Sequence, residues 1–265
     1  MARRRLDAEL VRRGLARSRE EACELIEAGR VKVQGATATK AATQVDAGEA
    51  VLVRRADDDP GYVSRGAHKL AGALDAWPEL PVVGRRCLDA GASTGGFTDV
   101  LLRRGARQVV AVDVGYGQLA WKLQSHPDVV IVDRTNVRTL TPEAIEGTVD
   151  LIVGDLSFIS LSVVLPALIA CAKPDADMAL MVKPQFEVGK DLLGAGGVVR
   201  EPELRAQTVS TIAERAFALG WGVRGVTASP LPGPSGNVEY FIWLQRGAPP
   251  LQQADLDRAV EEGPS

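Results

Sequence analysis

The sequence predicts an α/β protein: a parallel, doubly wound sheet of seven strands with the last strand antiparallel, preceded by a small α+β unit. Three observations predict it. From residue 86 to 245, apolar strand-like runs alternate with helix-like segments. Runs such as Val109-Val110-Ala111-Val112 and Leu180-Met181-Val182 suit strands buried on both faces. The connection between the last two strands, Pro230–Asn237, is too short for a helical crossover, so that pair runs antiparallel. Finally, a Gly-rich turn follows the first strand and opens a helix, at the place where such sheets bind ligands.

Residues 1–54 form the first unit. Leu6, Leu10 and Val11 share one helical face, and Gly14 ends that helix. Ser18 and Glu21 make a capping box for a second helix, whose apolar face is Ala22, Leu25 and Ile26 and which Gly29 closes. Val31-Lys32-Val33 and Ala50–Val53 read as strands. Residues 55–63 gather charge, Pro and Gly without periodicity and read as a linker. The second domain spans 64–246. It opens with a helix ending near Trp77, with Leu70 and Leu74 facing inward. Strands follow at 86–90, 108–114, 128–133, 149–155, 178–183, 222–229 and 239–245. Helices fall near 94–104, 118–124, 142–147, 160–172 and 202–219. A Gly-rich loop covers 187–200, and the tail, 247–265, holds a short helix near 253–261.

Composition narrows the class. The chain has 265 residues, 46% hydrophobic and 25% charged, enough for a real core. Cys23, Cys87 and Cys171 are odd in number and far apart, which points to a reducing cytoplasm rather than to disulfides or a metal site. His68 and His126 are the only histidines, and no metal is expected. No run approaches the roughly 18 apolar residues of a membrane span. Residues 1–55 hold 12 Lys/Arg against 8 Asp/Glu, while the rest of the chain is acidic. A basic front on an acidic body suits a polyanionic partner.

The chemistry gathers at predicted strand ends. The turn reads Asp89-Ala90-Gly91-Ala92-Ser93-Thr94-Gly95-Gly96-Phe97, which departs from the dinucleotide pattern G-x-G-x-x-G. An acid two residues before the first glycine suits S-adenosylmethionine (SAM), which carries an ammonium group and no pyrophosphate. The expected cofactor-binding positions are Asp89, Gly91, Ser93, Thr94, Gly95, Gly96 and Phe97. Asp113, ending the second strand, is placed to accept hydrogen bonds from ribose hydroxyls, and Asp133, ending the third, to approach the adenine. Asp155 ends the fourth strand and Lys183 the fifth, and Glu239 begins the seventh. Since that last strand is antiparallel, its start shares one rim with the ends of the others.

Two resemblances sharpen this reading. The pattern Arg5-Leu6-Asp7…Gly14-Leu15…Ser18-Arg19…Leu25-Ile26…Gly29-x-Val31-x-Val33-x-Gly35…Lys40 resembles the αL RNA-binding fold named after ribosomal protein S-four. It implies RNA contacts from Arg4, Arg17, Arg19, Arg30, Lys32 and Lys40, and from Arg65 beyond the linker, mostly to phosphates. With Lys69, the rim residues spell Lys-Asp-Lys-Glu, similar to the tetrad of FtsJ-type ribose 2′-O-methyltransferases. The stretches Ser64–Leu70, Cys87–Thr98, Asp113–Leu119, Asp155–Ser160, Lys183–Lys190 and Pro232–Glu239 resemble the hemolysin-named TlyA family; Tyr62 stands where close relatives are expected to carry Trp.

That resemblance implies SAM-dependent methylation of cytidine 2′-hydroxyls in RNA of both ribosomal subunits. It also implies sensitivity to ribosome-binding cyclic peptide antibiotics, a cytoplasmic location, no membrane partner and, by default, a monomer. Catalysis is expected of Lys69, Asp155, Lys183 and Glu239. Lys183 is the candidate base: a neighbouring cation and desolvation would lower its pKa, and the two acids would orient the lysines and the ribose. Three alternatives stay open: a membrane-lytic protein, a nicotinamide oxidoreductase (disfavoured by Ser93) and a non-catalytic RNA-binding or ribosome-assembly protein.

Overall fold

The computed structural model describes residues 3–16, 18–54, 60–189, 192–233 and 235–263. The chain divides into two compact units between Arg65 and Gly66. The expected linker was 55–63; of it, residues 55–59 lie outside the described residues.

The first unit packs two helices on short strands. Its elements are β1 (Arg4–Arg5), α1 (Leu6–Arg12), α2 (Arg19–Glu27), β2 (Val31–Val33), β3 (Ala36–Thr37), β4 (Gln44–Val45) and β5 (Val51–Val53). β1 pairs with β4, and β2 sits between β3 and β5, all antiparallel. Ser18 caps α2, its Oγ accepting from the Glu21 amide at 3.1 Å. The helical spacing of Leu6, Leu10, Ala22 and Ile26 places all four inside, against Val31, Val45 and Val51. Strands β1, β3 and β4 are two residues each, too short to leave a periodic signal.

The second unit is a seven-stranded sheet. It contains α3 (Ala67–Ala76), β6 (Arg86–Ala90), α4 (Gly96–Arg103), β7 (Gln108–Val112), α5 (Trp121–Gln124), β8 (Val129–Val132), β9 (Val149–Gly154), α6 (Leu161–Cys171), β10 (Ala172–Val182), α7 (Pro184–Glu187), α8 (Pro202–Ala218), β11 (Trp221–Ala228), β12 (Tyr240–Arg246) and α9 (Gln253–Glu261). The strand order is β11-β12-β10-β9-β6-β7-β8. Strands β8, β7, β6, β9 and β10 run parallel, and β12 inserts antiparallel between β10 and β11. Leu88, Val110, Ile152, Leu180 and Ile242 point to one face of the sheet and join Val164, Leu165 and Leu168 of α6 in the main core.

Several element ends differ from the sequence expectation, each for a local reason. β7 stops at Val112 because the Asp113 carboxylate turns the chain, accepting the Gly115 amide at 2.7 Å. The expected helix at 142–147 is a single 3-10 turn, Glu143–Ile145, ended by Glu146 at φ 57°. β10 starts at Ala172, earlier than expected, with its register against β9 shifting between Ala172 and Asp177. α7 is not among the expected helices, and only its last residue, Glu187, falls in the expected 187–200 loop; Pro184 at its first position preorganises the turn. In the tail, α9 buries Leu256 and Ala259 and is part of the second unit.

Candidate active site

Three strands and one helix deliver the four rim residues to one edge of the sheet. The registers Leu180↔Gly154 and Val182↔Tyr240 set β9, β10 and β12 side by side. Asp155 and Lys183 therefore follow two parallel strands, and Glu239 precedes the antiparallel one, at the same edge. Lys69 comes from the first turn of α3.

These four residues form two ion pairs. Lys69 Nζ lies 2.5 Å from Glu239 Oε2, with side-chain exposures of 9% and 0%. Lys183 Nζ lies 2.5 Å from Asp155 Oδ1 and donates to Ser157 Oγ at 3.0 Å. Lys183 is buried, Asp155 half-buried and Ser157 exposed. Charges this dry persist only when paired. The sequence reading missed two partners. Gln185 Nε2 donates to Glu239 Oε1 at 3.0 Å. Ser157 anchors Lys183. Both stand within two residues of a rim residue, the signal that would have found them.

The Gly-rich turn lies beside this group. Gly91 has φ +87°, and a Cβ there would meet the Asp155 carbonyl oxygen at 2.9 Å. The glycine thus brings the turn against the end of β9, where the Asp155 amide donates to Ala90 O at 3.2 Å. Gly95 has φ +93°, and a Cβ there would run into Leu119 and Leu123. Ser93 and Thr94 are exposed, and Ser93 adopts φ +48°. Gly96 begins α4.

The acids around the turn differ in role. Asp89 is buried; Oδ2 accepts from Thr98 Oγ1 at 2.7 Å, and Oδ1 has no protein partner among the described residues. Burial pushes its pKa up to about 7, against the bond from Thr98. Asp113 Oδ2 accepts the Ser93 amide at 2.8 Å, so this carboxylate ties the two turns together. Asp133 Oδ2 accepts the Gly117 amide at 2.9 Å. Phe97 is not brought to the turn's open side. Its ring is buried, with its centroid 5.9 Å from that of Phe241, because α4 packs on the sheet through it. Among the described residues, no group of three or more His, Cys, Asp or Glu could hold a metal ion.

The expected RNA residues lie in the first unit. Arg4, Arg19, Arg30, Lys40 and Arg65 are exposed and Lys32 is half-buried. Arg65 pairs with Glu24 at 2.6 Å. Arg17 lies outside the described residues.

This architecture is matched by known proteins. The S4 domain family matches residues 4–51, and the FtsJ-like methyltransferase family matches residues 62–246. The 16S/23S rRNA (cytidine-2′-O)-methyltransferase TlyA of Mycobacterium tuberculosis is 62% identical, over the whole of both chains. The chain belongs to the TlyA-like, FtsJ-type methyltransferases. A putative rRNA methyltransferase of Bacillus subtilis, YqxC, is 40% identical over 97% of this chain and 93% of its own. Among solved structures, a putative hemolysin from Streptococcus thermophilus superposes with a TM-score of 0.79 at 35% identity, covering 99% of this chain and 96% of that one. This TlyA-like chain is accordingly an enzyme with a SAM-dependent methyltransferase fold and an N-terminal S4 domain.

Proposed function

We propose that the enzyme methylates the 2′-hydroxyl of cytidines in the RNA of the small and large ribosomal subunits, using SAM. The observation that carries this is the pairing of Lys69 with Glu239 and of Lys183 with Asp155 at strand ends beside a Gly-rich turn. Substrate identity is argued from the M. tuberculosis relative, whose name gives both subunits and the cytidine ribose.

The residues fit SAM. The unpartnered, buried Oδ1 of Asp89 calls for a hydrogen-bond donor, which an amino-acid ammonium provides. Gly91 and Gly95 keep the turn free of Cβ atoms in its tightest contacts. Exposed Ser93 and Thr94 and the Gly96 amide would bound the ligand, with Asp113 and Asp133 toward its ribose and adenine. Bound there, SAM supplies an electrophilic methyl group on sulfur.

The chain's own residues do the rest. Lys183 takes the 2′-hydroxyl proton as the oxygen bonds to the methyl carbon, the carbon–sulfur bond breaks and its electron pair leaves with sulfur as a neutral thioether. For this, Nζ must be neutral, so the ammonium paired with Asp155 first gives one proton to water past Ser157 as the target ribose enters. Asp155 then holds the lysinium that forms, and Ser157, exposed and bonded to Nζ, leads the proton out to water. Glu239, fixed by Lys69 and Gln185, orients the ribose. Holding oxygen and methyl in line supplies much of the acceleration.

The test is methyl transfer from radiolabelled SAM to purified ribosomal subunits that lack the modification, with wild type beside Lys183→Ala. The reading expects ribose label on cytidines, lost in the variant while SAM binding persists. Base label, or a normal rate from Lys183→Ala, would discard the mechanism. A membrane-lytic role finds no support here: among the described residues, no helix is long and apolar enough to cross a membrane.

A further inference from the structure

In the first unit a buried acid holds two exposed arginines. Asp7 is 2% exposed. Arg5 Nε donates to its Oδ1 at 3.1 Å and Arg5 Nη2 to its Oδ2 at 2.9 Å. Arg19 Nη2 donates to the same Oδ2 at 2.8 Å. The shared oxygen fixes the two guanidiniums side by side, yet their side chains keep 46% and 61% of their surface. Among the described side chains, the hydrogen bonds of Arg5 and Arg19 run to Asp7 alone, so their outer N–H groups face solvent.

The neighbouring acid shows what a purely structural cluster looks like. Glu9 holds Arg12 and Arg13. Arg13 then spends its other donors on the carbonyls of Asp46, Ala47 and Glu49, at 2.6 to 3.1 Å, and closes the loop between β4 and β5. Nothing comparable consumes Arg5 and Arg19. Arg5, at the end of β1, lies only two residues from Asp7 in α1, so its pairing adds little to a join the chain already makes; the Arg19 pair does link α2 to α1, but through one bond that leaves the rest of that guanidinium unused.

We propose that Asp7 is a positioning residue for RNA, holding Arg5 and Arg19 as a preformed fork for one backbone phosphate. This rests on the reading that the S4 domain binds ribosomal RNA. An arginine that is free in solution loses rotamer freedom when it grips a phosphate; one already held loses less. Two guanidiniums on one carboxylate keep one net positive charge and several outward donors, which suits a phosphodiester. The Asp7 carboxyl is held well below the usual carboxylate range, by the Arg5 bond first and then Arg19 against burial, so the fork stays assembled at neutral pH.

The proposal predicts an effect opposite in sign to simple charge. Asp7→Asn removes a negative charge, and bulk attraction alone would tighten RNA binding. The proposal expects weaker binding of the full-length chain to purified ribosomal subunits, by roughly three- to tenfold at moderate salt. It also expects no further loss when Asp7→Asn is added to Arg5→Gln/Arg19→Gln, since the acid then has nothing to hold. Unchanged or tighter binding by a folded Asp7→Asn overturns it.

If Asp7→Asn melts the unit, Arg19→Lys decides. That side chain is exposed, and lysine keeps the charge without the planar fork. Several-fold weaker binding supports the fork, and wild-type binding overturns it. The doubly substituted Arg5→Gln/Arg19→Gln chain separates the two readings. If it binds subunits normally, the RNA face itself is misplaced and the proposal goes with it. If it binds weakly while Asp7→Asn does not, only the positioning role fails.

Discussion

Lys69 and Glu239 stand 170 residues apart in sequence, and their charged ends meet at 2.5 Å in the buried interior. Neither is tolerable there alone. Glu239→Gln leaves the ammonium without its counter-charge, and truncating one partner of a buried pair costs about 3 kcal/mol. We expect Glu239→Gln to melt earlier and to lose roughly a hundredfold or more in single-turnover methyl transfer. Adding Lys69→Met should restore much of the melting temperature and none of the rate. Recovery of both would show that the pair serves folding alone.

On the proposed role of Asp89 as the partner of the SAM ammonium, cofactor binding is pH-dependent. The Asp89 carboxyl ionises near pH 7 in the folded chain, against an ordinary value near 4. A cationic ammonium beside it favours the carboxylate, so SAM affinity should fall as pH drops below about 7, with proton release on binding below about that pH. Calorimetry in buffers of different ionisation enthalpy measures that release. Stability runs the other way. From about pH 4 to 7 the unfolded chain ionises first and the folded chain holds the proton. The ligand-free enzyme should therefore lose stability over that window, by up to about 1.4 kcal/mol per pH unit from this group. Asp89→Asn should flatten both profiles.

Gly91→Ala tests the closeness of the turn to β9. The new methyl would need the Asp155 carbonyl to give way, at a φ that alanine adopts with strain. About 1–3 kcal/mol of stability should go, read from denaturant midpoints. SAM affinity and methyl transfer should fall together, since turn and rim are joined there. Loss of stability with normal kinetics would mean that the two can move apart.

Asp177 offers a control away from the rim. It is buried and accepts from Arg85 at 2.6 Å, Trp243 Nε1 at 2.9 Å and Gln245 Nε2 at 3.2 Å. Asp177→Ala strands three donors at once and should cost about 3 kcal/mol. SAM affinity per folded molecule, measured well below the melting temperature, should not change.

Much of this was legible in the sequence because strong local patterns carried it. Buried parallel strands announce themselves as apolar runs, and β6, β7, β9 and β12 fell within one or two residues of expectation. The rim was readable because a strand that runs straight into Asp155 or Lys183 has an abrupt polarity change. Partners were not readable. Nothing local says that Lys69 finds Glu239 while Lys183 finds Asp155; only the registers of β9, β10 and β12 decide it. The direction of the Phe97 ring was not readable either. It sits in a ligand-like motif, yet the helical rotation of α4 turns its ring to Phe241. The grouping of Arg5 and Arg19 on Asp7 leaves no mark in the sequence, because side-chain burial has no periodicity of its own.

The position of β12 bears on how the chain is made. This strand is the last of the sheet to leave the ribosome, and it lies between β10 and β11, bonded to both. Until residues 240–246 emerge, β10 has an open edge and β11 has nothing to join. From the completion of β10 at Val182 until β12 emerges, the nascent chain therefore carries an unpaired, apolar strand edge, a hazard for association with other chains. Glu239 arrives with the same segment, so the sheet and the four-residue rim are completed in one late event. A chain stopped just short of residue 240 should be found in the insoluble fraction rather than as a folded enzyme of low activity.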